Sequence, residues 1–258
     1  MPLLQKGKTM HRFFIKQEDI YNDDITIQGE DVQHISKVLR LKEGDKIVLC
    51  DQRGTDYNVE IESITKHTVK TTIIDKVPSL GEPTMEVVIY QGIPKSTKMD
   101  LIIQKCTEMG ITRIVPVFTT RTIVKLESLK DEEKKVARWT KIAEEAAKQS
   151  ARGIVPHIDM PMNLEQALMD SKKLDIVLIP YELETEMSVK AALTGKTAQS
   201  VGFFIGPEGG FTAPEIVRAT QNNVLPITLG SRIMRTETAG FAMLTCIMYE
   251  YDQMKTNV

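Results

Sequence analysis

The chain has 258 residues, which is enough for one large domain or two modest ones. Its 41% hydrophobic and 26% charged residues are typical of a globular protein. No apolar run approaches the roughly 18 residues that a membrane-spanning helix needs. The three cysteines are scattered and the four histidines lack ligand spacing. These features predict a cytoplasmic protein with no disulfide framework, no metal site and no membrane partner.

Charge is distributed unevenly along the chain, although the formal net charge is only −2. Residues 91–152 carry a net charge of +5, whereas residues 153–258 carry −4. One segment is therefore suited to meeting a polyanion, while the whole molecule is not a general nucleic-acid binder.

The first part of the chain is rich in short β-type runs. Residues 1–9 are predicted to be an N-terminal extension, because Met10 followed by HRFF is a better natural start. Within residues 10–77, a helix is predicted at 31–41 and strands at 46–50, 56–64 and 67–74. Short strands at this spacing suggest a small β-barrel. Residues 78–84, with proline and glycine, are predicted to be a linker.

From residue 85 onward, strand and helix patterns alternate. Predicted strands lie at 87–90, 114–118, 174–179, 201–205 and 226–229. Predicted helices lie at 96–109, 131–151, 212–222 and 237–254. Alternation of this kind predicts an α/β fold with a parallel sheet, formed by residues 85–258.

Two loops between a strand and a helix carry unusual chemistry. The first, residues 206–212, reads GPEGGFT, and Thr212 with Glu215 predicts a capping box at the following helix. Its glycines permit close approach of a ligand to the backbone, although a tight turn without a ligand would use them too. The second loop, residues 229–240, holds two arginines, a glutamate and two threonines. Capping by Thr236 or Thr238 explains part of this composition, but not two arginines at the positive end of a helix.

The two loops together resemble the SPOUT class of RNA methyltransferases. GPEGGFTAPE at 206–215 followed by LGSRIMRTETA at 229–239 is similar to the ribosomal RNA small subunit methyltransferase E family, which methylates N3 of a uridine in 16S rRNA. The resemblance extends over most of the chain, through HRFF at 11–14, HISKVLRLKEGD at 34–45, QKCTEMG at 104–110 and WTKIAEEAAKQSAR at 139–152. Met109 stands where family members usually have leucine, which is a conservative departure.

The resemblance implies a PUA-like β-barrel domain for RNA binding at 10–77 and a SPOUT methyltransferase domain at 85–258. In the second domain it implies a C-terminal deep trefoil knot that binds S-adenosylmethionine, with the adenine against the backbone of the second loop and the first loop beneath it. The implied cofactor-binding residues are Pro180, Tyr181, Glu182, Gly206, Pro207, Glu208, Gly209, Gly210, Leu229, Gly230, Ser231, Ile233, Met234, Thr236, Thr238 and Ala239.

Basic side chains supply the candidate RNA contacts. On the predicted helix 131–152, five of them fall on one arc, which suits either a phosphate-tracking stripe or a solvated face with pairs such as Lys141 and Glu145. The full set of predicted RNA-binding residues is Arg12, Arg40, Lys95, Arg121, Lys134, Arg138, Lys141, Lys148 and Arg152. The predicted RNA partner is 16S rRNA or the small ribosomal subunit.

Methylation of uridine N3 needs help with a proton, because the N3–H group is mostly protonated at neutral pH. A base, or cations that stabilise the developing uracil anion, would supply that help. The catalytic candidates are Arg232, Arg235, Arg12 and Glu237; Glu208 is a second nearby carboxylate, and no general base is singled out. Two other functions stay open: a non-catalytic ribosome-binding factor on the same fold, and methylation of another atom such as the ribose 2′-oxygen.

The last predicted helix, 237–254, is apolar around most of its circumference. Such a helix needs cover on more than one face, and an uncovered apolar face usually marks an interface. Enzymes of the SPOUT class are typically homodimers joined near this helix. We therefore expect a homodimer.

Overall fold

The computed structural model describes residues 10–124 and 128–255, so the predicted N-terminal extension lies outside the described residues. It divides into two units. The first comprises residues 1–82 together with 147–154, and the second comprises residues 83–146 and 155–258. The boundary falls inside a long helix, so the first unit is assembled from two separate stretches of chain.

The first unit is built on a six-stranded sheet in the order β1-β4-β5-β6-β3-β2. β1 pairs with β4 in parallel, and the other neighbouring strands are antiparallel. The strands are β1 Arg12–Phe14, β2 Ile20–Tyr21, β3 Asp24–Gln28, β4 Lys46–Cys50, β5 Thr55–Ile64 and β6 Thr68–Pro78. Alternate positions along β3 and β5 point into an aliphatic core, as expected for strands with one buried face.

The helix predicted at 31–41 is shorter and less regular than expected. α1 covers only Glu30–Gln33, and the chain continues through a single π turn at His34–Val38. Arg40 then adopts a φ of 55°, a left-handed conformation that a helix cannot continue through. Val32 and Ile35 are buried, so the apolar pattern was a correct guide to the buried face but not to the length of the helix.

A buried polar cluster joins β1, β4 and β5. The Arg12 guanidinium donates to both carboxylate oxygens of Asp56, at 2.7 and 2.5 Å, and to Cys50 Sγ at 3.0 Å. Burial would raise the pKa of Asp56, but hydrogen bonds from Arg12, Cys50 and Ser79 outweigh it and hold that pKa below its usual value. Burial raises the pKa of the Cys50 thiol to about 12, so it stays protonated and donates to Asp56.

A second ion pair fastens residues 147–154 into the first unit. Arg152 is 2% exposed, and its Nη2 lies 2.8 Å from Glu82 Oε2. The other oxygen of Glu82 accepts hydrogen bonds from the backbone N–H groups of Gly153 and Ile154. Lys148 lies 3.5 Å from the carboxylate of Asp31. Burying a charged arginine is costly unless it is paired, and Glu82 supplies that partner.

The second unit has a parallel sheet in the order β10-β8-β7-β12-β11-β13, with β9 also paired to β8, as far as the described residues go. Every pairing is parallel, which confirms the predicted α/β fold. The strands are β7 Glu86–Gly92, β8 Arg113–Phe118, β9 His157–Ile158, β10 Met162–Asn163, β11 Ile176–Pro180, β12 Ser200–Ile205 and β13 Leu225–Ile227.

Six helices of the described chain accompany these strands, five of them between two strands and α7 after the last one. They are α2 Lys98–Glu108, α3 Leu129–Gln149, α4 Leu164–Ser171, α5 Val189–Leu193, α6 Ala213–Gln221 and α7 Thr236–Glu250. α7 packs against the larger of the two apolar clusters of this unit, through Met243, Leu244, Ile247 and Met248. α4 and α5, which are short, were not predicted from the sequence pattern.

Two features that would change the class of protein were not found in the described residues. None of the helices there is long and apolar enough to cross a membrane. Residues 10–124 and 128–255 also hold no group of three or more His, Cys, Asp and Glu side chains that would suit a metal ion.

Replacing Asp56 with alanine should destabilise the protein, because the buried Arg12 guanidinium would lose its carboxylate partner. The expected loss is about 3 kcal/mol in urea unfolding followed by circular dichroism. The control is Asp23→Ala, at an exposed position, which should cost no more than about 0.5 kcal/mol. Equal effects of the two substitutions would contradict the role given to this cluster.

The difference in unfolding free energy between the wild type and Asp56→Ala should also depend on pH. The folded-state pKa of Asp56 is lowered, so its contribution is fully present above its unfolded-state pKa of about 3.9. It is lost as the pH falls through the folded-state value. The stability difference between wild type and Asp56→Ala should therefore be constant near neutral pH and shrink in acid.

Candidate functional site

Three loops meet where β11, β12 and β13 end. These strands are parallel, so their carboxyl ends lie at one edge of the sheet, which is where ligands bind in open α/β sheets. Tyr181, just after β11, donates its backbone N–H to Ile227 O of β13 at 3.0 Å. A Cβ built on Gly210, in the loop after β12, would lie 3.6 Å from the Glu182 carboxylate. The structure thus brings together the three predicted walls of the cofactor site.

The loop after β12, residues 206–210, is folded tightly on itself. Gly210 donates to Pro207 O at 2.9 Å and has a φ of 66°, a conformation that favours glycine. A Cβ on Gly206 would lie 2.8 Å from Gly210 Cα, closer than backbone atoms tolerate. The loop therefore needs glycine at both ends. We call these five residues the glycine loop.

Two side chains from outside hold the glycine loop and its helix. Arg121, in the loop after β8, donates through Nη1 to Gly209 O and, at 3.4 Å, to Phe211 O. Glu215, at the start of α6, is buried and accepts from the backbone N–H of Thr120 at 2.8 Å and of Thr212 at 2.7 Å. Burial acts to raise the pKa of Glu215, but these hydrogen bonds outweigh it and lower that pKa. Arg121, which was predicted to contact RNA, is exposed and its guanidinium is bonded to backbone carbonyls of the site.

The capping box predicted from Thr212 and Glu215 is confirmed at the N-terminus of α6. The corresponding expectation for α7 was wrong. α7 begins at Thr236, its N-cap position is Arg235, and the N-cap side chain makes no capping hydrogen bond. The Thr236 hydroxyl instead donates to Gly206 O at 2.6 Å, because Thr236 faces the glycine loop.

The loop after β13 is open to solvent. Arg232 and Arg235 are exposed, and in the described part of the chain neither forms an ion pair. Ile233 is 92% exposed, which is unusual for an isoleucine. Leu229 and Met234 are half-buried, while Gly230 and Ser231 are exposed. This loop thus presents two cations and an apolar side chain beside the glycine loop.

The beginning of α7 also carries a carboxylate. Glu237 Oε2 is buried, lacks a hydrogen-bond partner among the described residues, and lies 3.8 Å from Lys98 Nζ. Lys98 Nζ is 2.9 Å from Glu208 Oε1 of the glycine loop, and Glu208 also accepts from the backbone N–H of Lys95. Burial acts to raise the pKa of Glu208, but Lys98 and these donors outweigh it and lower that pKa. Thr238 is exposed and Ala239 is half-buried.

Lys98 was not among the site residues predicted from the sequence. It stands at the start of α2 in PKSTKMD, a stretch with no glycine loop or charge cluster to mark it. Its role becomes visible only when α2 and α7 are packed side by side. Glu215, by contrast, was identified for capping but not for its bond to Thr120.

The predicted basic arc is not continuous. α3 ends at Gln149, so the helical projection does not apply to Arg152, which is buried against Glu82. Arg138 is paired with Asp100 of α2, and Lys134 lies 3.9 Å from Asp131. Lys141, Lys95 and Arg40 are exposed. Arg12, predicted as both a catalytic and an RNA-binding residue, is engaged with Asp56 inside the first unit.

Comparisons with known proteins agree with this architecture. Residues 81–248 match the family described as RNA methyltransferase domain, and residues 27–74 match RNA methyltransferase PUA domain. Ribosomal RNA small subunit methyltransferase E of Bacillus subtilis (strain 168) is 36% identical over 254 residues, which cover 95% of this chain and 99% of the relative. The enzyme of the same name from Mesomycoplasma hyopneumoniae (strain 232) is 33% identical over 242 residues, 92% of this chain and 99% of the relative.

A solved structure is similar over the same extent. Ribosomal RNA small subunit methyltransferase E from Neisseria gonorrhoeae, bound to S-adenosyl methionine, superposes with a TM-score of 0.81 at 28% identity, covering 93% of this chain and 98% of the other. The resemblance therefore includes both the methyltransferase and the PUA regions. Given the match over residues 81–248 and the identity with full-length relatives, this chain belongs to the ribosomal RNA small subunit methyltransferase E family.

Proposed function

We propose that this protein methylates N3 of a uridine in 16S rRNA, with S-adenosylmethionine as the methyl donor, in the cytoplasm. The observation that carries the proposal is the meeting of three loops at the carboxyl ends of β11, β12 and β13, in a chain that belongs to this family. The cofactor-binding residues of this proposal are those of the three loops together with Thr238 and Ala239 of α7.

The residues present suit such a donor. The glycine loop offers a backbone surface without side chains, and the Glu182 carboxylate stands next to it. Ile233 and Leu183, both strongly exposed, supply apolar surface for a purine ring. Bound S-adenosylmethionine supplies a methyl group already activated on a sulfonium, so the protein need only align it and manage charge.

We assign the charge management to Arg232, Arg235 and Glu237. The two arginines lack carboxylate partners among the described residues, so they are available to polarise the uracil carbonyls or to hold a phosphate. The buried Oε2 of Glu237 has no donor of its own in the described chain and is suited to accept the N3 proton or a hydrogen bond from it. Lys98 keeps Glu208 engaged and borders Glu237.

For RNA binding we retain Arg40, Lys95, Lys134 and Lys141, which are exposed. Arg12, Lys148 and Arg152 are assigned to internal contacts instead, because each is largely buried and paired with a carboxylate of the protein. Arg121 is exposed and stays an RNA-binding residue of this proposal, although it also donates to Gly209 O. Arg138 is exposed enough to exchange Asp100 for a phosphate.

A C-terminal trefoil knot is also part of this proposal. β13 pairs with β11 at the edge of the sheet, yet the next element, α7, starts against the end of β12 through the bond from Thr236 to Gly206. The chain must therefore return from the edge strand towards the middle of the sheet, which is the path that a threaded C-terminus would follow.

Transfer of labelled methyl groups to RNA tests the function directly. Purified protein with labelled S-adenosylmethionine should modify 16S rRNA or small subunits, and nucleoside mass spectrometry should identify 3-methyluridine. Arg235→Ala, which removes a cation, should lower the rate by about a hundredfold. The control variant Arg218→Ala, in α6, should keep most of the wild-type rate.

Other outcomes decide between the alternatives. Detection of a 2′-O-methylated nucleoside would show that the target atom is the ribose 2′-oxygen and not uridine N3. Ribosome binding without any methyl transfer, in a protein that does not bind S-adenosylmethionine, would favour a non-catalytic binding factor.

Gly206→Ala should abolish binding of S-adenosylmethionine, because its Cβ would collide with the Gly210 backbone, which has no freedom to move aside. Gly209→Ala is the comparison variant, since the three atoms nearest its Cβ all belong to the Arg121 side chain, with Cδ at 3.0 Å and Cβ at 3.2 Å, and none belongs to the backbone. Calorimetry on folded variants should show a much larger loss for Gly206→Ala. The reverse order would contradict this geometry of the loop.

We further propose a homodimer joined along α7. Leu244 and Met248 are buried, so they cannot form the interface. The outer face of α7 comprises small or apolar side chains and ends in Tyr249, which is 75% exposed: Thr238, Ala242, Thr245, Cys246 and Tyr249. A helix face of this composition suits close packing against a second copy of itself about a two-fold axis.

Ala242→Asp should disrupt this dimer by placing a charge in the centre of the face. Light scattering should give twice the 29.1 kDa chain mass for the wild type and the single mass for the variant. Methyl transfer should fall with it if the RNA site uses both subunits. Met169→Asp, at an exposed position on α4, is the control and should stay dimeric. A monomeric wild type would contradict the interface.

A further inference from the structure

Gln91 is a fully buried polar residue near the end of β7, and it lies outside the predicted site. Its Nε2 donates to Gly92 O and to Thr236 Oγ1, both at 2.9 Å. Its Oε1 has no hydrogen-bond partner among the described residues. A buried amide that leaves its oxygen unsatisfied is uncommon. The orientation of the Gln91 side chain, with both bonds made by Nε2, therefore needs an explanation.

The orientation of this amide is fixed by chemistry. Gly92 O can only accept, so the Gln91 atom facing it must be the nitrogen. Rotating the amide by a half-turn would set two oxygens against each other. Nε2 therefore points toward Thr236 with an N–H, and the Thr236 oxygen must accept there.

The direction of the next hydrogen bond follows. Because Thr236 Oγ1 accepts from Gln91, its own proton is free to donate, and the atom at 2.6 Å is Gly206 O, another pure acceptor. The chain of donors thus runs from Gln91 through Thr236 to Gly206. It links β7, the first residue of α7 and the first residue of the glycine loop.

We infer that Gln91 and Thr236 are positioning residues for the methyl donor, which hold the glycine loop against the start of α7 without touching the donor themselves. This inference rests on the proposed function of the site. It changes the role of Thr236 from a predicted cofactor contact to a support for the loop that makes the contact. It also gives Gln91 a role that its sequence position does not reveal.

Thr236→Val tests this series of hydrogen bonds, because valine matches threonine in shape but has no hydroxyl to donate to Gly206 O. Affinity for S-adenosylmethionine, measured by calorimetry on the full-length protein, should fall about tenfold, while kcat at saturating donor stays within about twofold. Thr236→Ser restores the hydroxyl and should recover most of the affinity. Thr140→Val is the control, because the Thr140 hydroxyl donates to Val136 O within its own helix α3. Unchanged affinity in Thr236→Val, or a loss in kcat alone, would overturn the inference.

Gln91→Met provides a second route if Thr236→Val does not fold. Methionine keeps the volume but removes both N–H groups, so the Thr236 hydroxyl loses the bond that orients it toward Gly206 O, and the affinity for S-adenosylmethionine should again fall. Combining it with Thr236→Val should add little, since both act on one chain of hydrogen bonds. Fully additive losses would contradict a single chain.

Hydrogen exchange separates this inference from the proposed function, because it needs no ligand. The Gly210 amide, bonded to Pro207 O, should exchange faster in Thr236→Val than in wild type, and Thr236→Ser should restore slow exchange. If the wild type binds no S-adenosylmethionine but this pattern holds, the proposed function fails and the positioning role stands. Equal exchange in all three proteins would overturn the positioning role.

Discussion

The candidate site depends on one constraint, the parallel pairing of β12 with β7 on one side and β11 on the other. Parallel strands end at the same edge, so the loops after β11, β12 and β13 are brought together without any long-range interaction between side chains. Side chains then fix the detail. Arg121 and Glu215 hold the glycine loop from the side of β8, and Thr236 holds it from α7. The loop is thus a rigid surface supported from two directions.

Arginines in this protein serve two different purposes. Arg12, Arg113 and Arg152 are paired with carboxylates inside the protein, and Arg121 with backbone carbonyls. Arg232 and Arg235 lie on an exposed loop without such partners in the described residues. A count of basic residues along the sequence does not separate these groups. The difference arises from whether the fold delivers a carboxylate to the guanidinium, as Glu82 is delivered to Arg152.

Local patterns predicted many of the strands and helices of both units, including those that form the site. The boundaries of β4 agree with the prediction, β12 begins one residue earlier, and the capping box at Thr212 is where the sequence indicated. These features depend on neighbouring residues, which a sequence displays directly. The parallel sheet followed from alternation, and the family from the two loops.

What escaped prediction depends on contacts between distant residues. Lys98 gained its importance from Glu208 and Glu237, and Gln91 from Thr236, all more than a hundred residues away in the chain. Arg152 was assigned to a basic stripe on a helix, but the helix ends before it and its guanidinium forms an ion pair with Glu82. The start of α7 was predicted wrongly because threonine is a common N-cap residue. The Thr236 hydroxyl instead donates to Gly206 O, thirty residues earlier in the chain.

The composition of the first unit from residues 1–82 and 147–154 has a consequence during synthesis. A ribosome makes about 5–20 residues per second, and nascent domains fold as their parts emerge. When residue 82 leaves the exit tunnel, Arg152, the partner of Glu82, has not yet been made; it follows only after β7, β8 and all of α3. For several seconds the first unit therefore exists without its last segment. The last segment of the first unit must therefore join a domain whose six strands have all been synthesised before it.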